Sequence, residues 1–370
     1  MRLATYNVEN LFNRPKVMNL AHWQDGRATL NAFATLNALL GERTYTAARK
    51  ARMVELLVSL GLGKSDEGPF VLLRRSRGDL LSRPKSGGIT ITASGREDWI
   101  GSLELVGGMI DHTSIRNTAR VIDLIGADVL AVVEAENRPA LVEFNRTVIR
   151  EVGGTPYHHI MLIDGNDERG IDVALMTRRD HPIGNIRSHV DDRDAAGNTI
   201  FSRDCPVYSV HPPGGQPVLV LVNHLKSKGF GSTASSNARR RAQAQRIREI
   251  HDALRAQGHS RIAIVGDFND TPDSDPLAPL LKETDLRDVF AHSKFDNGGR
   301  PGTYGSCGAS NKIDYILLSP DLFDAVTLGG VVRQGMWPGV KPAKWEKLPT
   351  LTREVEAASD HAAVWVDLDV

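Results

Sequence analysis

Apolar runs of five or six residues recur along the chain and alternate with segments whose apolar positions fall at helical spacing, the pattern of an α/β fold. Arg2 to Asn7 reads as a first strand, and Asp128-Val-Leu-Ala-Val-Val133 as a buried strand that delivers Glu134 at its C-terminal end. Ile171 to Met176, Val218 to Val222, Ile262 to Val265, Ile313 to Leu318 and Ala363 to Val366 are further short apolar strands. Ile115 to Ile125 is helical and ends at Gly126. Asn237 to Ala256 is the clearest helix, with Ile247, Ile250 and Leu254 on one face and arginines expected opposite.

Between the first strand and the Ile115 helix lies an insertion, at about residues 14–113, too long for an ordinary connection. It holds two expected helices, around Thr29–Leu40 and Thr46–Leu60, then a Gly-rich, strand-like stretch from Lys85 to Val106. Residues 1–370 are read as one domain, with this insertion packed on its body and contributing to specificity.

Polar groups cluster where apolar strands end. Asn7 follows Leu3-Ala-Thr-Tyr6, and Glu134 follows Val129-Leu-Ala-Val-Val133. Asn223-His224 closes the Val218 run, Asp267 and Asn269 follow Ile262-Ala-Ile-Val-Gly266, Asp314 sits in Lys312-Ile-Asp-Tyr, and Asp360-His361 precedes Ala-Ala-Val-Trp-Val366. Each alone reads as a cap or a solvated surface residue. Together they place several carboxylates, amides and imidazoles on rigid platforms, and converging carboxylates repel unless a cation neutralises them. Oxygen donors with no cysteine pattern suit a hard cation, Mg²⁺ or Mn²⁺. No P-loop is present, since Gly63-Lys64 lacks its pattern, and no Gly-x-Ser-x-Gly elbow marks a serine hydrolase.

Composition changes this picture little. The chain has 370 residues, 41% hydrophobic and 24% charged, and equal numbers of basic and acidic residues give a net charge of +0. No global basic excess argues for long nucleic acid, which leaves a local run after His224: Lys226, Lys228, Arg239, Arg240, Arg241, Arg246 and Arg248. The bland reading of those arginines is a solvated helix face. Cys205 and Cys307 are too few for a disulfide framework, and one bridge between them stays open. The first residues lack the form of a signal peptide and no apolar run reaches membrane-spanning length, so a cytoplasmic protein is expected.

Thr5-Tyr-Asn-Val-Glu-Asn-Leu-Phe12, Val132-Val-Glu-Ala-Glu-Asn137, Arg169-Gly-Ile-Asp-Val-Ala-Leu175, Asn223-His-Leu-Lys-Ser-Lys228, Gly266-Asp-Phe-Asn-Asp270, Lys312-Ile-Asp-Tyr-Ile316 and Ser359-Asp-His361 together resemble the ordered motif set of the endonuclease/exonuclease/phosphatase family. The resemblance implies a four-layer α/β/β/α sandwich, two mixed β-sheets packed face to face with helices outside, and a site at one end. It implies Glu134 as principal metal ligand with Asn7 beside it, and Asp360 at the metal or orienting its water. Asp267 matches the aspartate that positions or deprotonates the attacking water, Asn269 a phosphate contact, His361 the histidine at the scissile phosphate and Asp314 its orienting partner. Whether Asp267 or the His361–Asp314 pair is the general base stays open. His224 matches a phosphate ligand or leaving-group acid, and Asn223 and Arg169 phosphate-binding positions. Asp172 is placed with the phosphate-binding group and could orient His224.

The expected activity is a metal-dependent phosphodiesterase or nuclease. Alternatives are a phosphomonoesterase on a small phosphorylated molecule, a lipid phosphodiesterase using Trp337 and Trp345, and a binding module of the same fold without catalysis.

Overall fold

The computed structural model describes residues 1–20, 23–167, 169–228, 232–340 and 343–370. Its chain contacts form two compact units. One comprises Met1–Phe12, Ile110–Lys228 and Ser232–Val370, and the other Asn13–Met109.

In the first unit the strands are β1 (Arg2–Asn7), β2 (Val129–Ala135), β3 (His159–Leu162), β4 (Asp172–Thr177), β5 (Ile183–Arg187), β6 (Val207–Val210), β7 (Val218–His224), β8 (Ile262–Asp267), β9 (Arg287–Asp288), β10 (Phe295–Asp296), β11 (Asp314–Leu318), β12 (Val326–Val332) and β13 (Ala363–Leu368). They build a seven-stranded sheet in the order β10-β12-β13-β1-β2-β4-β3 and a six-stranded sheet in the order β5-β6-β7-β8-β11-β9. Both sheets are mixed. β1 runs parallel to β2 and β7 parallel to β8, whereas β13 and β11 run antiparallel to β1 and β8.

Strand periodicity explains the layers. On β2, Val129, Ala131 and Val133 join Leu3, Val173 and Val364 against Val220, Val222, Val265 and Ile316 of the other sheet. The alternate residues Leu130 and Val132 face outward to Ile115, Ala119 and Ile122 of helix α1 (His112–Ile125) and to Leu141 and Phe144 of α2 (Arg138–Arg146). Burial on both faces is why β2 reads as an unbroken apolar run. On the far side, Ala244, Ile247, Ile250 and Leu254 of α3 (Thr233–Ala256) cover Leu219, Leu221, Ile262 and Ile264. The expected four-layer α/β/β/α sandwich is the observed architecture. Asp111 caps α1 through the Thr113 N–H, and Gly126 closes it in the left-handed conformation at φ 59°.

The Asn13–Met109 unit has its own core. Helices Trp23–Leu40 and Ala47–Ser59 and the antiparallel pair Val71–Arg77 with Ile100–Leu105 enclose Phe33, Leu36, Met53, Leu57, Leu73 and Trp99. Among the described residues, no helix is long and apolar enough to cross a membrane.

Candidate active site

The topology gathers the strand tips. The C-terminal ends of β1, β2, β7 and β8 share one end with the starts of β11 and β13, because the latter two strands are antiparallel to their neighbours. Within the six-stranded sheet, His224, Asp267 and Asp314 stand in one row across three strands. The row has room because of Gly266, at φ 131°, where a Cβ would lie 1.9 Å from the Asn223 carbonyl oxygen.

Glu134 lies at the C-terminal end of β2, one residue before its last, Ala135. The register with β4 passes from Val133↔Val173 to Ala135↔Asp172 and leaves Glu134 without a cross-strand partner. It is a bulge residue with φ 67°. Glu9, Asn10 and Asn269 also hold left-handed backbone, at φ 52°, 68° and 55°. Such conformations cost free energy and mark segments held by their surroundings; here they flank the strand tips.

The side chains form a chain of close polar contacts. His224 Nε2 lies 3.6 Å from Glu134 Oε1 and 3.6 Å from Asp267 Oδ2. His361 Nε2 lies 3.8 Å from Asp267 Oδ2 and 3.8 Å from Asp360 Oδ1, while its Nδ1 meets Asp314 Oδ2 at 2.9 Å. Asn269 donates its backbone N–H to Asp267 Oδ1 at 2.8 Å and its amide to Oδ2 at 3.2 Å. Asn7 donates its amide to Asp267 Oδ2 at 3.3 Å, and its amide oxygen accepts the Glu9 N–H. The Ser359 hydroxyl donates to the Asn7 carbonyl and accepts the His361 N–H, tying β1 to the Asp360-His361 turn.

Electrostatics separates the two histidines. Burial opposes charge on His361, but Asp314, by charge and hydrogen bond, and then Asp267 and Asp360 hold its imidazolium well above the ordinary histidine range. His224 is held well below that range, first by burial and then by Arg203 and Arg169. Burial pushes the Asp267 carboxyl up, and the charges of Asp314 and Glu134 push the same way, against the pull of His361 and the Asn269 N–H.

Two donor groupings suit a cation. Asp267, Asp314 and His361 each place one ligand atom within 4.8 Å of the others. In that trio Asp314 is already bonded to His361. Glu134, Asn7 and Asp360 supply the hard oxygens expected at the metal, although Asn7 turns its amide N–H toward Asp267 and would have to turn over to ligate.

Two expected residues, Asn223 and Asp172, stand apart from the hydrogen-bonded cluster. Strand alternation puts Asn223 on the face opposite His224, among the outward residues that pack on α3; its amide donates to the Leu221 carbonyl. Asp172 accepts the Gly165 N–H at 2.8 Å, and among the described residues His224 Nδ1 has no hydrogen-bond partner, so Asp172 makes no hydrogen bond that orients His224. Burial raises the Asp172 carboxyl to about 7. Arg169 makes a two-pronged contact with Asp167, at 2.9 and 2.6 Å, and its charge acts on His224 and Glu134 in the cluster.

Sequence reasoning passed over Arg203, one of the largest fully buried side chains, which meets Asp167 Oδ2 at 3.1 Å. Burial pulls its guanidinium down to about 10. It also misread Arg240. That residue is fully buried on the apolar face of α3, seven positions before Ile247, and pairs with Asp270 at 2.8 Å. Helical spacing would have found it. The rest of the basic run is also engaged: Arg246 with Asp192 and Glu249, Arg248 with Asp252 and Glu283, Lys228 with Asp270, and Arg239 and Arg241 with the Thr199 and Asp275 carbonyls. Trp337 packs on the outer core of the seven-stranded sheet, and Trp345 beside Met336 and Cys307, so the two tryptophans are core contacts. Cys205 and Cys307 are both free and buried.

A family model described as "Endonuclease/Exonuclease/phosphatase family" matches residues 108–361. Among solved structures, the chain is similar to a mannosyl-6-phosphatase of Bacteroides thetaiotaomicron, at 17% identity and a TM-score of 0.51 over 70% of this chain and 92% of that one. It is also similar to an endonuclease/exonuclease/phosphatase family protein of the same organism, at 17% identity and a TM-score of 0.50 over 69% of this chain and 86% of that one. At these identities the likeness is one of fold. No curated protein matches the chain by sequence.

Proposed function

Because the chain belongs to the endonuclease/exonuclease/phosphatase family, we propose that its strand-tip cluster is the active site of a phosphoester hydrolase that uses water and a divalent cation. The observation that carries the reading is the buried Asp314–His361 pair, closed at 2.9 Å, facing the buried Asp267 carboxyl across 3.8 Å.

On this reading Asp267 takes the proton of the attacking water; a carboxyl raised by burial is a better base at neutral pH than an ordinary one, and such transfer contributes about 10² to 10⁴ in rate. Asn269 fixes that carboxylate through two hydrogen bonds. His361, held as an imidazolium by Asp314, stabilises negative charge growing on the phosphoryl oxygens. Its charge disfavours it as the general base and leaves that role to Asp267. His224, kept neutral, serves as a hydrogen-bond partner to phosphate in preference to a leaving-group acid. Glu134 and Asp360, with Asn7 after its amide turns, would hold Mg²⁺ or Mn²⁺. A hard cation there would polarise a phosphoryl oxygen and neutralise the converging carboxylates.

The substrate class follows from the basic run. Three of its arginines, Arg240, Arg246 and Arg248, are engaged in internal ion pairs and Arg239 and Arg241 bond backbone carbonyls, which favours a small or chain-end phosphoester over a long polyanion gripped along α3. A phosphomonoester reading gains from the mannosyl-6-phosphatase likeness; a diester reading remains the alternative for nucleic acid. Residues 1–370 would act as one catalytic domain, with the insertion at about 14–113 adding specificity.

The test is hydrolysis of p-nitrophenyl phosphate, bis-p-nitrophenyl phosphate, sugar phosphates, sphingomyelin, RNA and plasmid DNA with Mg²⁺, Mn²⁺ or EDTA. Metal-dependent turnover of the monoesters is expected. Nicking of plasmid with no monoester turnover would move the assignment to a nuclease, and no hydrolysis of any ester would end it.

A further inference from the structure

We propose that Arg203 is a positioning residue that couples Arg169 to Asn269, through Asp167 on one side and the Leu225 carbonyl on the other. The inference rests on the phosphoester reading and on the phosphate-contacting roles that the family resemblance implies for Arg169 and Asn269.

The geometry is a continuous chain. Arg169 grips Asp167 through Nε at 2.9 Å and Nη2 at 2.6 Å, and its backbone N–H donates to the same carboxylate at 3.0 Å. Arg203 Nη1 reaches Asp167 Oδ2 at 3.1 Å. Arg203 Nη2 donates to the Leu225 carbonyl at 3.4 Å, and that same oxygen accepts the Asn269 amide at 3.1 Å. The Leu225 N–H returns to the Asp267 carbonyl at 2.9 Å. One guanidinium thus stands between the loop that carries Arg169 and the turn that carries Asn269.

Packing does not account for this residue. The Arg203 side chain is 1% exposed, and a buried charge is costly unless fully paired. Among the described residues its pairing is incomplete: the only carboxylate it meets is shared with Arg169, the Leu225 contact is long, and Nε has no hydrogen-bond partner. An unbranched apolar side chain of similar length would fill the space without that cost. What it would not do is hold the Asp167 carboxylate and the Leu225 carbonyl at a fixed separation. The forked guanidinium does that, and lysine, a single point of charge, does not. Supporting groups of this kind typically change activity by about 10- to 100-fold when removed.

The experiment uses full-length protein with Arg203→Met, Arg203→Lys, Asp167→Asn, Arg169→Ala, Asn269→Ala and the double variant Arg203→Met/Asn269→Ala. Steady-state kinetics on an ester turned over by the wild type are read beside thermal unfolding and calorimetric affinity for inorganic phosphate. Arg203→Met is expected to fold and to lose about 10- to 100-fold in kcat/KM, with weaker phosphate binding. The double variant should fall little below Asn269→Ala alone, because the two residues act as a unit. Arg203→Lys should keep the fold and stay impaired. A purely structural role would leave KM and phosphate affinity of the folded protein intact and multiply in the double variant; either of these, or wild-type kinetics in Arg203→Met, overturns the proposal. If Arg203→Met does not fold, Arg203→Lys and Asp167→Asn decide the matter by the same readouts. Should the wild type hydrolyse nothing, the phosphoester reading falls, while phosphate affinity that depends on Arg203 sustains the coupling and affinity that does not depend on it refutes it.

Discussion

The two compact units treat buried polarity in opposite ways. The core of the Asn13–Met109 unit is wholly apolar among the described residues, from Phe33 and Leu36 through Met53, Leu57 and Leu73 to Leu103. Its ion pairs, such as Arg75 with Asp66 and Arg74 with Glu104, lie where solvent reaches them. The other unit buries Asp172, Arg203, Arg240, Asp267, Asp270, Lys312, Asp314, His224 and His361. The Asn13–Met109 unit builds its core without buried charge among the described residues, and each buried ion costs desolvation that its partners only partly repay. The buried charges of the sandwich unit therefore call for a role beyond packing, which the proposed chemistry supplies. The contrast predicts that substitutions in one unit change activity with little loss of fold, and in the other change stability with little loss of activity.

The largest expected effect is on turnover. Asp267→Ala and His361→Ala should each reduce kcat by about 10² to 10⁴, with unfolding temperatures close to wild type. Initial rates and thermal melts on the same preparations check this. The contrast breaks if either variant unfolds, or if the Asp267/His361 double variant hydrolyses normally. Next in size is Glu134→Ala. It removes an oxygen from the expected cation site, so the metal concentration needed for half-maximal rate should rise by roughly 10-fold or more. Titration of Mg²⁺ and Mn²⁺ measures it, and an unchanged midpoint would move the cation to the Asp267, Asp314 and His361 trio.

The matching change in the apolar unit is Leu57→Ala. Leu57 is fully buried, and truncation leaves a cavity costing about 2 to 5 kcal/mol. Hydrogen exchange or limited proteolysis should report local opening of the Asn13–Met109 unit, while kcat on a small ester stays at the wild-type value. A collapse of kcat in the folded variant would show that this unit takes part in the chemistry itself.

How much of this was legible in the sequence depends on the range of the signal. The apolar runs of β2, β7 and β8 announce strands because both their faces are buried, and Gly126 announces the end of α1. Period two along β7 already implies that Asn223 and His224 cannot share a face, and a spacing of seven already puts Arg240 with Ile247. Those were local signals left unused. The bulge at Glu134 is different, because it depends on the register with β4 across the sheet. Arg203 lies 36 residues from Asp167 and 22 from Leu225, so no spacing along the chain foreshadows its role. Val326–Val332, with two glycines in seven residues, gives too weak an apolar pattern to stand out, and its place in the sheet comes from pairing with Ala363–Leu368.

The smallest expected effect tests whether the exposed face of α3 belongs with the chemical unit or with the plain surface. Arg241 donates to the Asp275 carbonyl, and Arg248 pairs with Asp252 and Glu283 at partly exposed positions. Pairs of this exposure contribute about 0 to 1 kcal/mol, so Arg241→Glu and Arg248→Glu should shift unfolding only slightly. Were this face a track for nucleic acid, each lost phosphate contact would lower the slope of log affinity against log salt by about 0.9. The expectation is no change in that slope for any polyanion the protein binds, and no change in ester turnover. A flattened salt dependence in the double variant would return the arginines of α3 to the binding surface and restore long nucleic acid as the substrate.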